Sequence, residues 1–411
     1  MKVAVVGGGL SGLAAALELV DGGHETTVLE ARPTLGGAVQ TLPEREGDPP
    51  PPPDNGQHIA LGAFTQYLRF LERIGEGGSY RRHRLELPVI GEDGRAAAIS
   101  RSPLSILGYR HLPARERLAI VRSLLALRRA PEDDSDTFGA LLRKRGATDA
   151  QIDRFWDVFV RPALNLRTDE ASSAMGVFTV RTALLGKAAA ADVILPAKPL
   201  GAMHGDAAGR TLQQRGATVE TGRRVESLDE LDADAVVVAL PPPESARLLG
   251  EPEPALEPSP IVSVHLLFDR PILSTPLAAL LGSPAHWVFD RGDLTGHQPP
   301  NGGQYLTVVA SGEPELLEIR GKALVDLMAG ELTTRLGQAE LVWSRVSREP
   351  YATVALRPGT QMERRPAETD RPNVVRAGAW TDTGWPATME GAVRSGLVAA
   401  RRLTSMRAVR A

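Results

Sequence analysis

The alternation of apolar and polar positions opens on Lys2 and an unbroken apolar run to Val6, the pattern of a strand buried on both faces. A glycine-rich turn follows at 7–12, then 13–20, whose Ala and Leu content suits a helix laid on a sheet. Asp21-Gly22-Gly23 stops that helix, and 26–29 make a second strand ending on Glu30. Phe64, Leu68, Leu71 and Ile74 recur at helical spacing inside a helix predicted over 59–74. From about 80 to 200 helical periodicity dominates: 114–129, 137–145 ended by Gly146, 150–160 capped by Thr148, and 171–185. Short β-branched runs then return. Residues 193–196 lead into a helix to Gln214, 218–221 and 223–225 read as a hairpin, and 235–240 as a buried strand. Runs at 261–268, 285–289, 305–310 and 341–346 are strand-like, with a helix over 314–336, and 373–376 is a last strand before a final helix.

The first forty residues carry chemistry as well as structure. Gly7-Gly8-Gly9-Leu10-Ser11-Gly12 satisfies G-x-G-x-x-G. Gly7 permits the tight turn out of the strand, Gly9 lets backbone approach a pyrophosphate, and Gly12 lets the helix press on the strand. The helix N-terminus then offers a phosphate unpaired N–H groups and the positive end of the helix dipole, and Leu10 and Ser11 of the turn are counted with the glycines as cofactor-binding residues. Glu30, at the tip of the second strand, suits a ribose hydroxyl pair and repels a 2′-phosphate. Glycines alone would be only a turn; strand, glycines, helix, strand and acid in register make a dinucleotide site.

Composition narrows what the rest can do. The 411 residues suffice for two lobes around more than one core, and a formal charge of −3 gives no reason to expect nucleic acid. With no cysteine, disulfides, thiolate metal sites and cysteine nucleophiles are excluded; the eight histidines are scattered, so no metal site is expected. No cleavable leader is read before residue 2, and no apolar run approaches the roughly 20 residues of a spanning helix. The expectation is a cytoplasmic protein, at most peripheral on the inner face of the membrane. The peripheral option rests on 110–129, where Leu118, Ile120, Val121, Leu124 and Leu125 are interleaved with Arg115, Arg117, Arg122, Arg128 and Arg129. Such a helix suits an anionic membrane surface, or is simply a solvated basic face. The five prolines at 49–53 read as an exposed polyproline connector, with partner docking as the alternative. Ile152, Phe155, Trp156 and Phe159 form an apolar stripe that is either core or the wall of a hydrocarbon tunnel, to which Met175, Phe178, Leu184 and Leu185 could contribute.

Glu30-Ala31-Arg32-Pro33-Thr34-Leu35-Gly36-Gly37 resembles the extended fingerprint of the flavoprotein amine oxidase and phytoene desaturase superfamily. The resemblance implies FAD, with Glu30, Ala31, Arg32, Gly36 and Gly37 around the adenosine ribose and pyrophosphate, and Val225 pairing its backbone with the adenine. Ala38 stands where the superfamily usually has another Arg. Asp54-Asn55-Gly56-Gln57-His58 resembles the signature of the squalene-associated branch, the hydroxysqualene dehydroxylases, in a loop that passes near the flavin in the wider superfamily. By their own chemistry Asp54 and Asn55 suit a turn and a helix cap equally well, and His58 a packed histidine. The stretch from Ala377 to Ala392 resembles the segment that closes the FAD site. There Gly378, Ala379, Pro386, Ala387 and Thr388 would meet the pyrophosphate and flavin edge, with Pro386 in the first helical turn and Gly391, Ala392 and Gly396 allowing close approach. Ala379 replaces a customary Asp. A lost charge-assisted hydrogen bond costs about 1.5–3 kcal/mol unless Asp382 substitutes for it. The likeness follows the whole chain in segment order and is tightest at 3–37, 54–62 and 377–396.

The expected fold is therefore α/β: a Rossmann-like FAD-binding domain at 1–80, 201–250 and 351–411, with a discontinuous substrate domain. That domain would comprise a helical, membrane-facing lobe at 81–200 and a mixed sheet at 251–350. The resemblance implies reduction of hydroxysqualene to squalene by hydride from reduced FAD, with loss of water. A long-chain isoprenoid substrate is thus expected. So is an external electron donor, because no second dinucleotide fingerprint is present. A proton donor for the leaving hydroxyl is sought among Asp54, His58 and Asp382. A carotenoid-type desaturase on the same fold stays open. An amine oxidase fits less well, with aromatics at 4% and no Lys in a cofactor motif. The departures at Ala38 and Ala379 favour a third alternative, a non-catalytic isoprenoid-binding protein.

Overall fold

The computed structural model describes residues 1–408. Lys2–Val6 is the central strand of a five-stranded parallel sheet, flanked by Glu25–Glu30 and Ala235–Val238, with Thr218–Thr221 and Val374–Arg376 at the edges. Ala235–Val238 and Val374–Arg376 are buried throughout, as the unbroken apolar runs require. Thr218–Thr221 does not form the expected hairpin with 223–225. It pairs in parallel with Glu25–Glu30, and Gly222 and Arg223 donate their N–H groups to the carbonyls of Arg32 and Glu30, both at 2.9 Å. Donors that a hairpin would have used are spent on clamping the turn that carries Glu30.

A second sheet runs in the order Leu341–Val354, Pro258–Phe268, Gln304–Ser311, Trp287–Asp290, Leu277–Leu280, Glu86–Ile90, Ala96–Ser100. It is antiparallel except between Leu277–Leu280 and Glu86–Ile90. Glu86–Ile90 and Ala96–Ser100 arise in the stretch expected to be helical; each is five residues long, too short to register against the helical periodicity around it. A small third sheet joins Ala60–Leu61, Val193–Pro196 and Tyr80–His83. Because Ala60 and Leu61 pair with Ile194 and Val193, the helix predicted from 59 begins only at Thr65.

The helices Ala114–Leu127, Phe138–Lys144, Asp157–Leu164 and Ser173–Val180 cover part of the second sheet. Thr148 and Gln151 form a capping box on Asp149–Gln151, which runs on through Ile152–Trp156 into Asp157–Leu164. The stripe Ile152, Phe155, Trp156 and Phe159 is buried, in one cluster with Leu277, Trp287 and Phe289 from the sheet. Beside this apolar half the sheet turns polar, with Ser263, His265, Thr307, Arg345 and Ser347 buried beneath the chain at 41–56. The proline run is therefore no exposed connector. Pro49, Pro51 and Pro53 are buried, Arg291 donates to the Pro52 carbonyl at 2.6 Å, and Arg345 to that of Pro43 at 2.8 Å.

Candidate active site

The first bond of helix Leu10–Asp21 runs from Leu13 N–H to the Gly9 carbonyl, at 2.9 Å. The N–H groups of Leu10, Ser11 and Gly12 thus have no intrahelical acceptor. All three residues are buried and no side chain caps them. Buried, uncapped donors at the positive end of a helix fit a diphosphate. The glycines divide by what a Cβ would meet. On Gly12 it would lie 1.9 Å from the Gly7 carbonyl oxygen, so that glycine serves helix-on-strand packing. On Gly9, which has an ordinary φ of −77°, it would meet only the Gly37 Cα at 3.7 Å. The protein tolerates a side chain there; a phosphate against the same backbone would not.

Gly36 and Gly37 close over this turn. Gly36 N–H donates to the Gly8 carbonyl at 2.8 Å, and Gly37, at φ +63°, comes so near Gly9 that a Cβ would sit 2.8 Å from its Cα. The buried Glu30 carboxylate accepts from Gly8 N–H at 2.7 Å and Arg32 N–H at 2.8 Å, which fixes it beside the glycines; Ala31 and Arg32 are exposed at the rim. The Ala38 carbonyl accepts from Asn55 Nδ2 at 2.9 Å, tying the loop that follows the proline run to the fingerprint. Val225 is buried against Leu29, and its backbone makes no hydrogen bond among the described residues.

A second helix crosses the first at its opening turn. Helix Met389–Ala408 is capped by Thr388, whose Oγ1 accepts from Gly391 N–H at 3.3 Å. Pro386 lies two residues ahead of that cap rather than in the first turn, and Ala387 is between them. A Cβ on Gly396 would sit 2.1 Å from the Ser11 carbonyl oxygen, the Ser395 and Ser11 hydroxyls are 3.1 Å apart, and Gly378 N–H donates to Ser395 Oγ at 2.9 Å. The opening turn of Leu10–Asp21 therefore packs against the third turn of Met389–Ala408, whose start at Met389 lies about 10 Å along its axis from the crossing. A Cβ on Gly391 would strike the Pro386 carbonyl oxygen at 2.4 Å. Gly391 and Gly396 thus serve packing between protein segments, which corrects the expectation that they make room for the cofactor.

The loop from Gly378 to Trp385 is held from beneath by Arg364, which the sequence reading missed. This buried guanidinium donates to the carbonyls of Ala379 (3.3 Å), Trp380 (3.2 Å), Thr381 (2.8 Å) and Trp385 (2.6 Å). Burial lowers its pKa from the usual arginine value. Asp382 is exposed, and its carboxylate accepts from Gln361 Nε2 at 2.9 Å. At the end of the loop Trp385 meets Phe64 and Phe178 edge-on, at 5.8 and 5.1 Å between ring centres, with the Arg394 guanidinium 4.7 Å over its ring.

Asp54 is likewise not a free acid. One carboxylate oxygen pairs with Arg291 Nη1 at 2.6 Å, and the other accepts from Thr41 Oγ1 at 2.7 Å and Leu200 N–H at 2.9 Å. Its own carbonyl accepts from His265 Nε2 at 2.9 Å, while His265 Nδ1 accepts from Thr307 at 3.0 Å. Burial, then the Arg291 charge, lower the His265 pKa to about 3, so this ring is neutral. Asp54 thus rivets its loop to Arg291, Thr41 and Leu200, with both carboxylate oxygens engaged. His265 could have been noticed in the sequence, as it breaks an apolar run; Arg291, 237 positions from Asp54, carried no such signal.

His58 differs. Its ring is half-buried and unbonded among the described residues. Burial lowers its pKa, and the nearby Asp54 charge opposes that shift. Beside it, His204 is buried between Tyr67 OH (2.8 Å to Nε2) and the Leu200 carbonyl (2.8 Å to Nδ1), and burial lowers its pKa to about 4.

A family model for flavin containing amine oxidoreductases matches residues 10–404, from the first residue of the fingerprint helix into the C-terminal helix that crosses it. The chain belongs to that family. The family's members are FAD-dependent oxidoreductases, and the buried donors at Leu10–Gly12 suit its cofactor. Among named relatives, a hydroxysqualene dehydroxylase of Sinorhizobium fredii is 28% identical over 96% of both chains. A probable zeta-carotene desaturase of Synechococcus elongatus is 24% identical over the whole of both. The flavoprotein fold is also that of cyclohexylamine oxidase from Brevibacterium oxydans, at a TM-score of 0.74 over 99% of both chains and 18% identity. Within the family, the described residues form no cluster able to hold a metal ion.

Proposed function

We infer that this oxidoreductase converts hydroxysqualene to squalene. The observation that carries the reading is the likeness to hydroxysqualene dehydroxylases, 28% identical over 96% of both chains. In the balanced step a C–O bond breaks, a C–H bond forms at the same carbon, and the hydroxyl leaves with one proton as water. Bound FAD, once reduced by an external donor, supplies the hydride.

The chain's own residues supply the setting. Amides at Leu10, Ser11 and Gly12, with the helix start at Met389, would hold the diphosphate; Glu30 would take the adenosine ribose, and the Val225 backbone the adenine. Gly378 and Ala379, held in shape by Arg364, would lie on the flavin side. The packed core of Phe155, Trp156, Trp287 and Phe289 backs the apolar lobe, on whose side the isoprenoid would lie and from which water would be kept. His58 gives the proton to the leaving hydroxyl, since its ring is unbonded while Asp54 and Asp382 are engaged elsewhere.

The test is anaerobic mixing of dithionite-reduced holoenzyme with hydroxysqualene. The expected result is return of the oxidised flavin spectrum with one squalene formed per flavin. No reoxidation, together with flavin reduction by a carotene precursor, would move the chain to the desaturase reading that the Synechococcus relative supports.

A further inference from the structure

Eight large hydrophobic side chains are exposed among the described residues, and four of them sit in one helical hairpin, Pro103–Gly108 and Ala114–Leu127. They are Leu104 (78% exposed), Leu107 (41%), Leu118 (43%) and Leu125 (58%). At about 100° per residue, Leu118 and Leu125 fall on one line of the longer helix. Its buried residues, Glu116, Ile120, Ser123, Leu124 and Leu127, lie on the opposite side. The outward face is thus a second apolar stripe where a surface helix would ordinarily be polar.

Arginines frame that stripe. Arg115, Arg122 and Arg129 run along one flank and Arg128 along the other, all exposed and without an acidic partner among the described residues. Arg117 donates to the Leu107 carbonyl and so ties the two helices together. Residues 101–129 hold seven arginines against one glutamate, in a chain whose formal charge is −3. That glutamate, Glu116, is buried and accepts from Thr148 Oγ1 at 2.9 Å.

We propose that this hairpin docks on an anionic lipid bilayer, its leucines entering the interface while the arginines pair with headgroup phosphates. Long arginine stems can lie along apolar surface and keep their charge at phosphate depth. A second copy of the chain is the wrong occupant, because a two-fold contact would set these arginines against themselves. No described helix is long and apolar enough to cross a membrane, so the contact lies in the plane of the interface. The inner face of the same helix joins the cluster containing Phe155, Trp287 and Phe289, so docking seats the apolar lobe against the lipid.

Flotation of the holoenzyme with phosphatidylcholine vesicles, with and without phosphatidylglycerol, tests this without reference to turnover. The protein is expected to float with phosphatidylglycerol vesicles and to be released by high salt. Leu104→Ser with Leu125→Ser should cut the bound fraction at least about tenfold, with flavin content and melting temperature unchanged. Arg115→Glu with Arg122→Glu should cut it as much. Wild-type protein that ignores both vesicle types, leucine variants that float like wild type, or dimerisation lost with the same leucines would overturn the proposal. Failure of the hydroxysqualene reaction with vesicle binding intact would overturn only the substrate reading.

Discussion

Asp54 and His58 lie four positions apart in one motif, yet their surroundings give them different work. Removing the Asp54 carboxylate would leave Arg291 charged and buried with no anion. Asp54→Ala should therefore cost about 3–5 kcal/mol, read as a lower denaturation midpoint, whatever its effect on turnover. His58→Gln breaks no hydrogen bond to its ring and should stay within about 0.5 kcal/mol of wild type while slowing hydroxysqualene reduction. The acid form of His58 is the useful one and its pKa is lowered, so the reductive rate should fall as pH rises through a value below 6.5; the Gln variant should lack that limb. Stability shows a related dependence. His204 and His265 stay neutral when folded down to about 4 and about 3, whereas unfolded histidines take up protons below about 6.5. The unfolded chain therefore binds more protons between those limits. Stability is full above about 6.5 and should fall by several kcal/mol as pH drops toward about 4, read from urea midpoints. At this scale the motif was legible in sequence, but its partners were not: Arg291 and Arg364 are remote arginines in stretches without periodicity, and only folding brings them beneath the loops they hold.

Two helices more than 370 positions apart form the site only because they cross tightly, and the crossing rests on an absent side chain. Gly396→Ala would drive a Cβ into the Ser11 carbonyl, with backbone on both sides and no flexible chain to yield. It should cost about 1–3 kcal/mol and lower flavin retention on gel filtration, since the start of the Met389–Ala408 helix would shift. Strongly patterned elements were readable: the strand–glycine–helix opening, the long strands of the second sheet and the Thr148 cap. Elements defined by their neighbours were not. Thr218–Thr221 is a parallel edge strand because Glu25–Glu30 offers a free edge, and Ala60–Leu61 is a strand because Val193–Pro196 lies beside it. The proline run looked exposed by composition but is anchored by Arg291, with Arg345 holding Pro43 and Asp48 just before it, and the sequence context of neither arginine gives a hint of it.

Across the whole molecule, a parallel sheet gathered from both ends of the chain carries the cofactor, and a mixed sheet meets it along the Asp54–Arg291 contact. That second sheet is divided between an apolar half under helices and a polar half under residues 41–56, which places an oily lobe next to the loop bearing His58. The division follows from strand order: Pro258–Phe268, Gln304–Ser311 and Leu341–Val354 bring the buried polar residues, Leu277–Leu280 and Trp287–Asp290 the apolar ones, and it became visible only once that order was known. The account stands on one FAD held by both helix starts, with Gly9 left bare for the diphosphate. Equilibrium titration of deflavinated wild type and Gly9→Ala with FAD tests this most directly, with apoprotein melting measured alongside. The account predicts one FAD per wild-type chain, and for Gly9→Ala an unchanged apoprotein melting temperature with FAD affinity at least about tenfold weaker. Wild type that binds no FAD, or a Gly9→Ala protein that binds it as tightly as wild type, would contradict it.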